Sequence, residues 1–156
     1  MPDPRPGEWI LRAAVWSTGL LVLTSALAAI WPASLGLVHA VVSVGCFLVG
    51  CALMLSAFAT GVSRSRTEAV STAGLFLLAD DVAPPDVRRV LRGALAVQVV
   101  AVVAAASVRP FTEVAFGILA PMLGVGLMGL WGARHGQFPP RAGAVPSAGA
   151  EECGDG

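Results

Sequence analysis

Acidic and basic residues are excluded from four long stretches of this 156-residue chain, and that exclusion constrains the fold more than any motif does. The stretches lie at residues 13–31, 37–61, 93–108 and 114–133. A helix needs roughly 20 apolar residues to cross the hydrocarbon core of a bilayer. The third stretch is short, but its helix is expected to start upstream at Pro85, with Arg88, Arg89 and Arg92 reaching back to the interface. That places the third span near residues 91–108. The expectation is an all-α integral membrane protein, a four-transmembrane-helix bundle over residues 1–135, followed by a disordered cytoplasmic tail at 136–156. Composition points the same way: 56% of residues are hydrophobic, the mean hydropathy is +0.77, and only 13% are charged. A soluble domain carries about 25% charge.

The basic residues set the orientation. All ten are Arg. Arg5 and Arg12 precede the first stretch; Arg64, Arg66, Arg88, Arg89 and Arg92 lie between the second and third; Arg134 and Arg141 follow the fourth. The connection at 32–36 has no charge, and the one at 109–113 has a single Arg. Basic residues in short loops stay cytoplasmic, so both termini are expected in the cytoplasm. Trp9 and Trp131 then fall at the inner aromatic belt, and Trp31 and Phe111 at the outer one. Arg5, Arg12 and Ala26-Leu27-Ala28 also resemble a signal peptide with its cleavage box. The apolar run exceeds the usual 7–15 or so residues and continues past the box to Trp31, which favours a retained helix.

Two connections carry detail. Arg109 suits the negative end of the third helix, Pro110 stops it, and Thr112 and Glu113 suit the start of the fourth. Arg109 and Glu113 form an expected local pair. In the inner loop, residues 67–72 are polar and Leu75 to Leu78 apolar, so this segment is expected to dip into the inner interface without crossing.

Lipid gives helices no hydrophobic reason to associate, so small residues and a few polar groups must do that work. On the second helix Gly36, Ser43, Gly50 and Ala57 recur every seven residues, with Ala40 and Gly61 on the same stripe. On the third, Ala94, Gln98, Ala101 and Ala105 share a face, which turns the Gln98 amide toward protein. The fourth has Gly126, Gly129 and Ala133 on one face, and Pro121, whose ring strikes the carbonyl of Gly117 and should kink the helix. Ser17, Thr18, Thr24 and Ser25 mark the first. Packing within the chain is the expected use of these stripes, with a homo-oligomer or another membrane protein as the alternative partner.

Chemistry has few places to sit. Cys46 and Cys51 are five apart on one helix and cannot bridge each other. Cys153 lies in the tail, and no C-x-x-C occurs. The seven residues from Asp80 to Asp86 are similar in spacing to the Asp-rich motif of prenyl-diphosphate enzymes, which hold Mg²⁺ on carboxylates. Pro84 and Pro85 disfavour the helix that motif needs, and no second copy is present. The simpler expectation is a start of helix with its acidic first turn, and no metal or other cofactor. His39 and Gln98 are the two candidate polar residues inside the membrane. An ionisable residue there is a functional hypothesis by default, and His39 is placed near the outer headgroups. No Asp, Glu or Arg falls mid-span, which weighs against ion-coupled transport; small multidrug exporters carry a Glu in their first helix, and this chain has none.

The stretch from Gly129 to Arg141, Gly-Leu-Trp-Gly-Ala-Arg-His-Gly-Gln-Phe-Pro-Pro-Arg, resembles the end of small uncharacterised membrane proteins from high-GC Gram-positive bacteria. The likeness is looser back to Gly93. That group has no assigned activity, so the resemblance implies a bacterial cell membrane and brings no site residues. The net charge of zero gives no electrostatic case for nucleic acid. The functional expectation is a non-enzymatic membrane protein, an accessory subunit or partner-binding module in the lipid bilayer. The alternative is a small transporter or channel, for which Ser17, Thr24, Gln98 and His39 would have to line a continuous polar path.

Overall fold

The computed structural model describes residues 7–79, 81–108 and 110–140. Arg5, Asp80, Arg109, Arg141 and the tail beyond it, Cys153 included, lie outside the described residues. The elements are α1 (Glu8–Ile30), α2 (Pro32–Arg64), the short α3 (Thr72–Leu77), α4 (Pro85–Val108), a 3₁₀-helix (Glu113–Leu119) and α5 (Met122–His135). Four helices are long and apolar enough to cross a membrane: α1, α2, α4, and the 3₁₀-helix with α5 taken as one span.

Two boundaries differ from the expectation, both because of proline. The uncharged connection at 32–36 is helical. Pro32 opens α2, where its missing N–H is an orphan anyway and its fixed φ suits a first turn. The chain therefore reverses over Trp31 alone, whose N–H closes α1 onto the Leu27 carbonyl at 2.9 Å. In the fourth span, Pro121 has no N–H to offer the Gly117 carbonyl. The Ala120 N–H takes that carbonyl instead at 3.0 Å, a tighter three-residue bond. The expected kink thus becomes a change of helix type, 3₁₀ before Pro121 and α after it.

Around the bundle the order is α1, α2, the fourth span, α4. α1 packs along α4, and α2 along the whole fourth span. The fourth span is the interior one: 56% of its apolar window is buried, against 22%, 17% and 22% for α1, α2 and α4. The other three turn large side chains outward, including Trp16, Leu37, Val41, Leu55 and Val100, each more than half exposed. Exposed apolar surface on this scale marks a face for a membrane or for another protein.

The stripe on α2 faces the fourth span. A Cβ on Gly50 would lie 2.5 Å from backbone atoms of Met122 and Leu123, and one on Gly126 would lie 2.6 Å from the Gly50 carbonyl oxygen. Backbone therefore meets backbone here, which only glycine permits. Gly36 lies beside Glu113, Ser43 is fully buried, and Ala57 lies beside Gly129, so the two elements run in the same direction. From Gly36 to Ala57 α2 advances 21 residues, while its partners advance only 16, from Glu113 to Gly129. The 3₁₀ stretch rises about 2.0 Å per residue against about 1.5 Å in an α-helix, which over its seven residues makes up a little under half of that difference.

The Arg-rich end is more built than the sequence suggests. Ser71 caps α3 by accepting from the Gly74 N–H at 2.9 Å. α3 then sits on the end of α5, with Leu75 and Leu78 buried and the Phe76 ring over Gly129. Residues 136–140, expected in a disordered tail, are pinned: Gln137 N–H donates to the Val82 carbonyl at 3.1 Å, and Ala69 N–H to the Pro139 carbonyl at 2.8 Å. Trp131, expected at the lipid interface, is 1% exposed and packs among Ile10, Leu78, Val87 and Leu91. It is covered by Gly7, whose φ of 75° and close approach leave no room for a side chain.

Candidate functional site

Among the described residues, the polar side chains buried in the bundle are Ser25, His39, Ser43 and Gln98, with no carboxylate or guanidinium among them. They form two levels. At the deeper level Gln98 of α4 donates its amide N–H to Thr18 Oγ1 of α1 at 2.8 Å, and the Thr18 hydroxyl donates to the Ala14 carbonyl at 2.7 Å. At the level nearer Trp31, His39 Nδ1 lies 3.3 Å from Thr24 Oγ1, across the α1–α2 hairpin. Ser43 returns its hydroxyl to the His39 carbonyl at 2.8 Å.

His39 is not at the surface of the bundle. Because α2 begins at Pro32, His39 lies about 10 Å along the helix. It is 1% exposed, so its ring meets protein on every side. Of the three buried polar atoms here with no hydrogen-bond partner among the described residues, Ser25 Oγ, His39 Nε2 and Gln98 Oε1, the last two stand against the fourth span. Each faces a glycine of the fourth span. A Cβ on Gly117 would lie 2.6 Å from His39 Nε2, and one on Gly124 would lie 2.8 Å from Gln98 Oε1. Ordinary buried polar groups are paired, so these two are conspicuous.

Between the levels lies an apolar layer of Leu21, Val102 and Ala120, each at most 2% exposed, with Cys46 against it. Thr18 and Thr24 are about 9 Å apart along α1, and Leu21 sits between them. Among the described residues, the two polar levels of the bundle therefore do not join into one path. Ser17, another residue of the proposed path, bonds back to the Ala14 carbonyl at 3.0 Å.

Gly117 and Gly124 sit seven apart, the same repeat that marks α2, although in the sequence Gly117 stands out only for its carbonyl one turn before Pro121 and Gly124 not at all. The role of Arg64 was missed too. At the end of α2 its guanidinium donates to the Ala133 and Gly136 carbonyls at 3.0 and 2.9 Å, pairs with Glu68 at 2.7 Å and lies over the Phe138 ring. It thus caps the C-terminus of α5, a partner that composition cannot name. Arg88 pairs with Asp81 at 2.9 Å, and Arg92 donates to the Leu77 carbonyl at 2.8 Å, so neither simply reaches out to water. Gly36, Ser43, Gly50, Ala57, Gly126 and Gly129 all lie in contacts within the chain.

Comparison with protein-family models, with curated proteins and with solved structures finds no match to this chain.

Proposed function

We propose that the protein is a multi-pass bacterial inner-membrane protein with both termini in the cytoplasm, and that it works as a non-enzymatic accessory or partner-binding module. The observation that carries the second part is the apolar layer of Leu21, Val102 and Ala120, which separates the two polar levels. The seam is suited to holding α1, α2 and α4 against the fourth span, while the outward faces of α1, α2 and α4 are left for lipid or another membrane protein. Orientation rests on the arginines: Arg12, Arg64, Arg66, Arg88, Arg92 and Arg134 lie at the end of the bundle where α1 starts and α5 ends. The resemblance of Gly129 to Arg141 to small membrane proteins of high-GC Gram-positive bacteria supports the compartment.

Reporter insertions at Trp31 and after Pro110 should read outside, and insertions after Arg66 and Arg141 inside. An outside reading at Arg141 overturns the topology. A photo-crosslinker at the outward-facing Leu48 or Leu55 should yield discrete adducts with a second polypeptide in native membranes. The runner-up, a small-molecule transporter or channel, draws on the unpartnered atoms of His39 and Gln98. Solute or proton flux through reconstituted vesicles, lost in His39→Phe, would favour it over the module.

A further inference from the structure

We infer that the protein holds an anionic phospholipid, with its phosphate on Arg92 and one acyl chain in the groove between α4 and α5. The inference rests on the four helices spanning a bilayer. The groove has a volume of about 480 Å³ and opens on the outer surface of the bundle. Leu95, Ala96, Val99 and Val100 of α4, Met128 of α5 and Leu77 at the end of α3 line it, and Arg92 is the one charged residue among the described lining residues. From Arg92 to Val100 is eight residues of α4, about 12 Å. The hydrocarbon core is about 30 Å thick, so the groove runs most of the depth of one leaflet. That is the length over which a lipid chain of the same leaflet lies beside the helix.

Arg92 is built to hold a phosphate at the groove's mouth. Its Nε–H donates to the Leu77 carbonyl at 2.8 Å, which fixes the side chain over the groove. The remaining guanidinium donors have no protein partner among the described residues, and no carboxylate there pairs with Arg92. Arg88, one turn earlier, already neutralises Asp81 at 2.9 Å. Asp86 lies about 9 Å further back along α4. A planar fork of N–H donors whose charge no described carboxylate neutralises matches two oxygens of a phosphodiester. A zwitterionic headgroup would bring its own cation beside Arg92, and a chain without a phosphate would leave the charge unmatched, so the occupant is an anionic phospholipid.

Native mass spectrometry of the full chain, released from a neutral detergent, tests this. The probes are phosphatidylglycerol, phosphatidylcholine with the same acyl chains, and glycerol phosphate as a headgroup without a chain. Phosphatidylglycerol should be retained about ten-fold more tightly than phosphatidylcholine, and glycerol phosphate not retained. Arg92→Gln should remove the preference. Ala96→Phe, an exposed position that fills the groove and leaves the charge, should remove retention while the melting temperature in detergent stays unchanged. Arg66→Gln should retain the lipid as the native chain does. Equal retention of the two lipids, capture of glycerol phosphate, retention by Ala96→Phe, or equal losses in Arg66→Gln and Arg92→Gln would overturn the inference. Insertion of the native protein into phosphatidylcholine vesicles tests the membrane reading by itself. Failure there sinks the spans; insertion without a lipid preference sinks only this site.

Discussion

At the Arg-rich end the bundle closes on Trp131, Ile10, Leu91 and Met128, under a lid of α3 and residues 136–140. At the end bearing Trp31 and Phe111 it closes on Ala28, Ala105 and Val114, with a one-residue reversal between α1 and α2. The first end uses bulk and polar staples; the second uses small side chains and short backbone paths. The difference teaches where each force is available. In the proposed membrane placement α3 and residues 136–140 lie beyond the spans, where burying apolar surface is rewarded and charged hydrogen bonds can be made. Inside lipid there is no such reward, and close backbone approach takes over.

The largest expected effect tests the bulk. Trp131→Ala should lower stability by about 3–5 kcal/mol, the usual range for emptying a fully buried Trp site. Val114→Ala at the other end should cost clearly less, because it removes far less buried volume. Equilibrium unfolding in mixed detergent micelles reads both, and similar losses would mean the two ends are not held differently.

The polar staple comes next. Arg64→Ala frees the carbonyls of Ala133 and Gly136 at the end of α5. Hydrogen bonds to charged groups contribute about 1.5–3 kcal/mol, and the lower end applies because the Arg64 side chain is 25% exposed. Arg64→Lys should recover only part, since an ammonium cannot reproduce the two-pronged fork. Proteolysis after α5 checks this: faster cleavage near Gln137 in both variants, faster in Arg64→Ala, is the expected order. Full recovery by Lys would reduce Arg64 to a charge.

The smallest effect lies between the ends. An interhelical hydrogen bond in a membrane protein averages about 0.6 kcal/mol and reaches about 1.7. Thr18→Val leaves the Gln98 amide wholly unpartnered, whereas Gln98→Leu removes the bond together with the Oε1 atom that has no partner. Thr18→Val should therefore destabilise more than Gln98→Leu. The double variant should match Gln98→Leu, as a thermal double-mutant cycle would show. Additive losses would mean the pair is not coupled.

What the sequence by itself determined is set by periods and exclusions. The absence of charge over four stretches marks four long apolar helices. The seven-residue repeat of Gly36, Ser43, Gly50 and Ala57 marks the face of α2 that turns inward, because side chains seven apart lie on one side of a helix. The lone proline of the fourth span marks where its hydrogen bonding must change. What only the tertiary structure decided is who meets whom. No local pattern says that Arg64 reaches the end of α5, that Trp131 is roofed by Gly7, or that His39 lies against Gly117. Each depends on how 3₁₀ and α stretches of different rise bring distant residues level, and on side chains whose partners are 69 or more positions away, as between Arg64 and Ala133. A hydrophobic tryptophan fits an interface belt and a buried core equally well by composition. Packing chooses between them, because burial is a property of the neighbours and not of the residue.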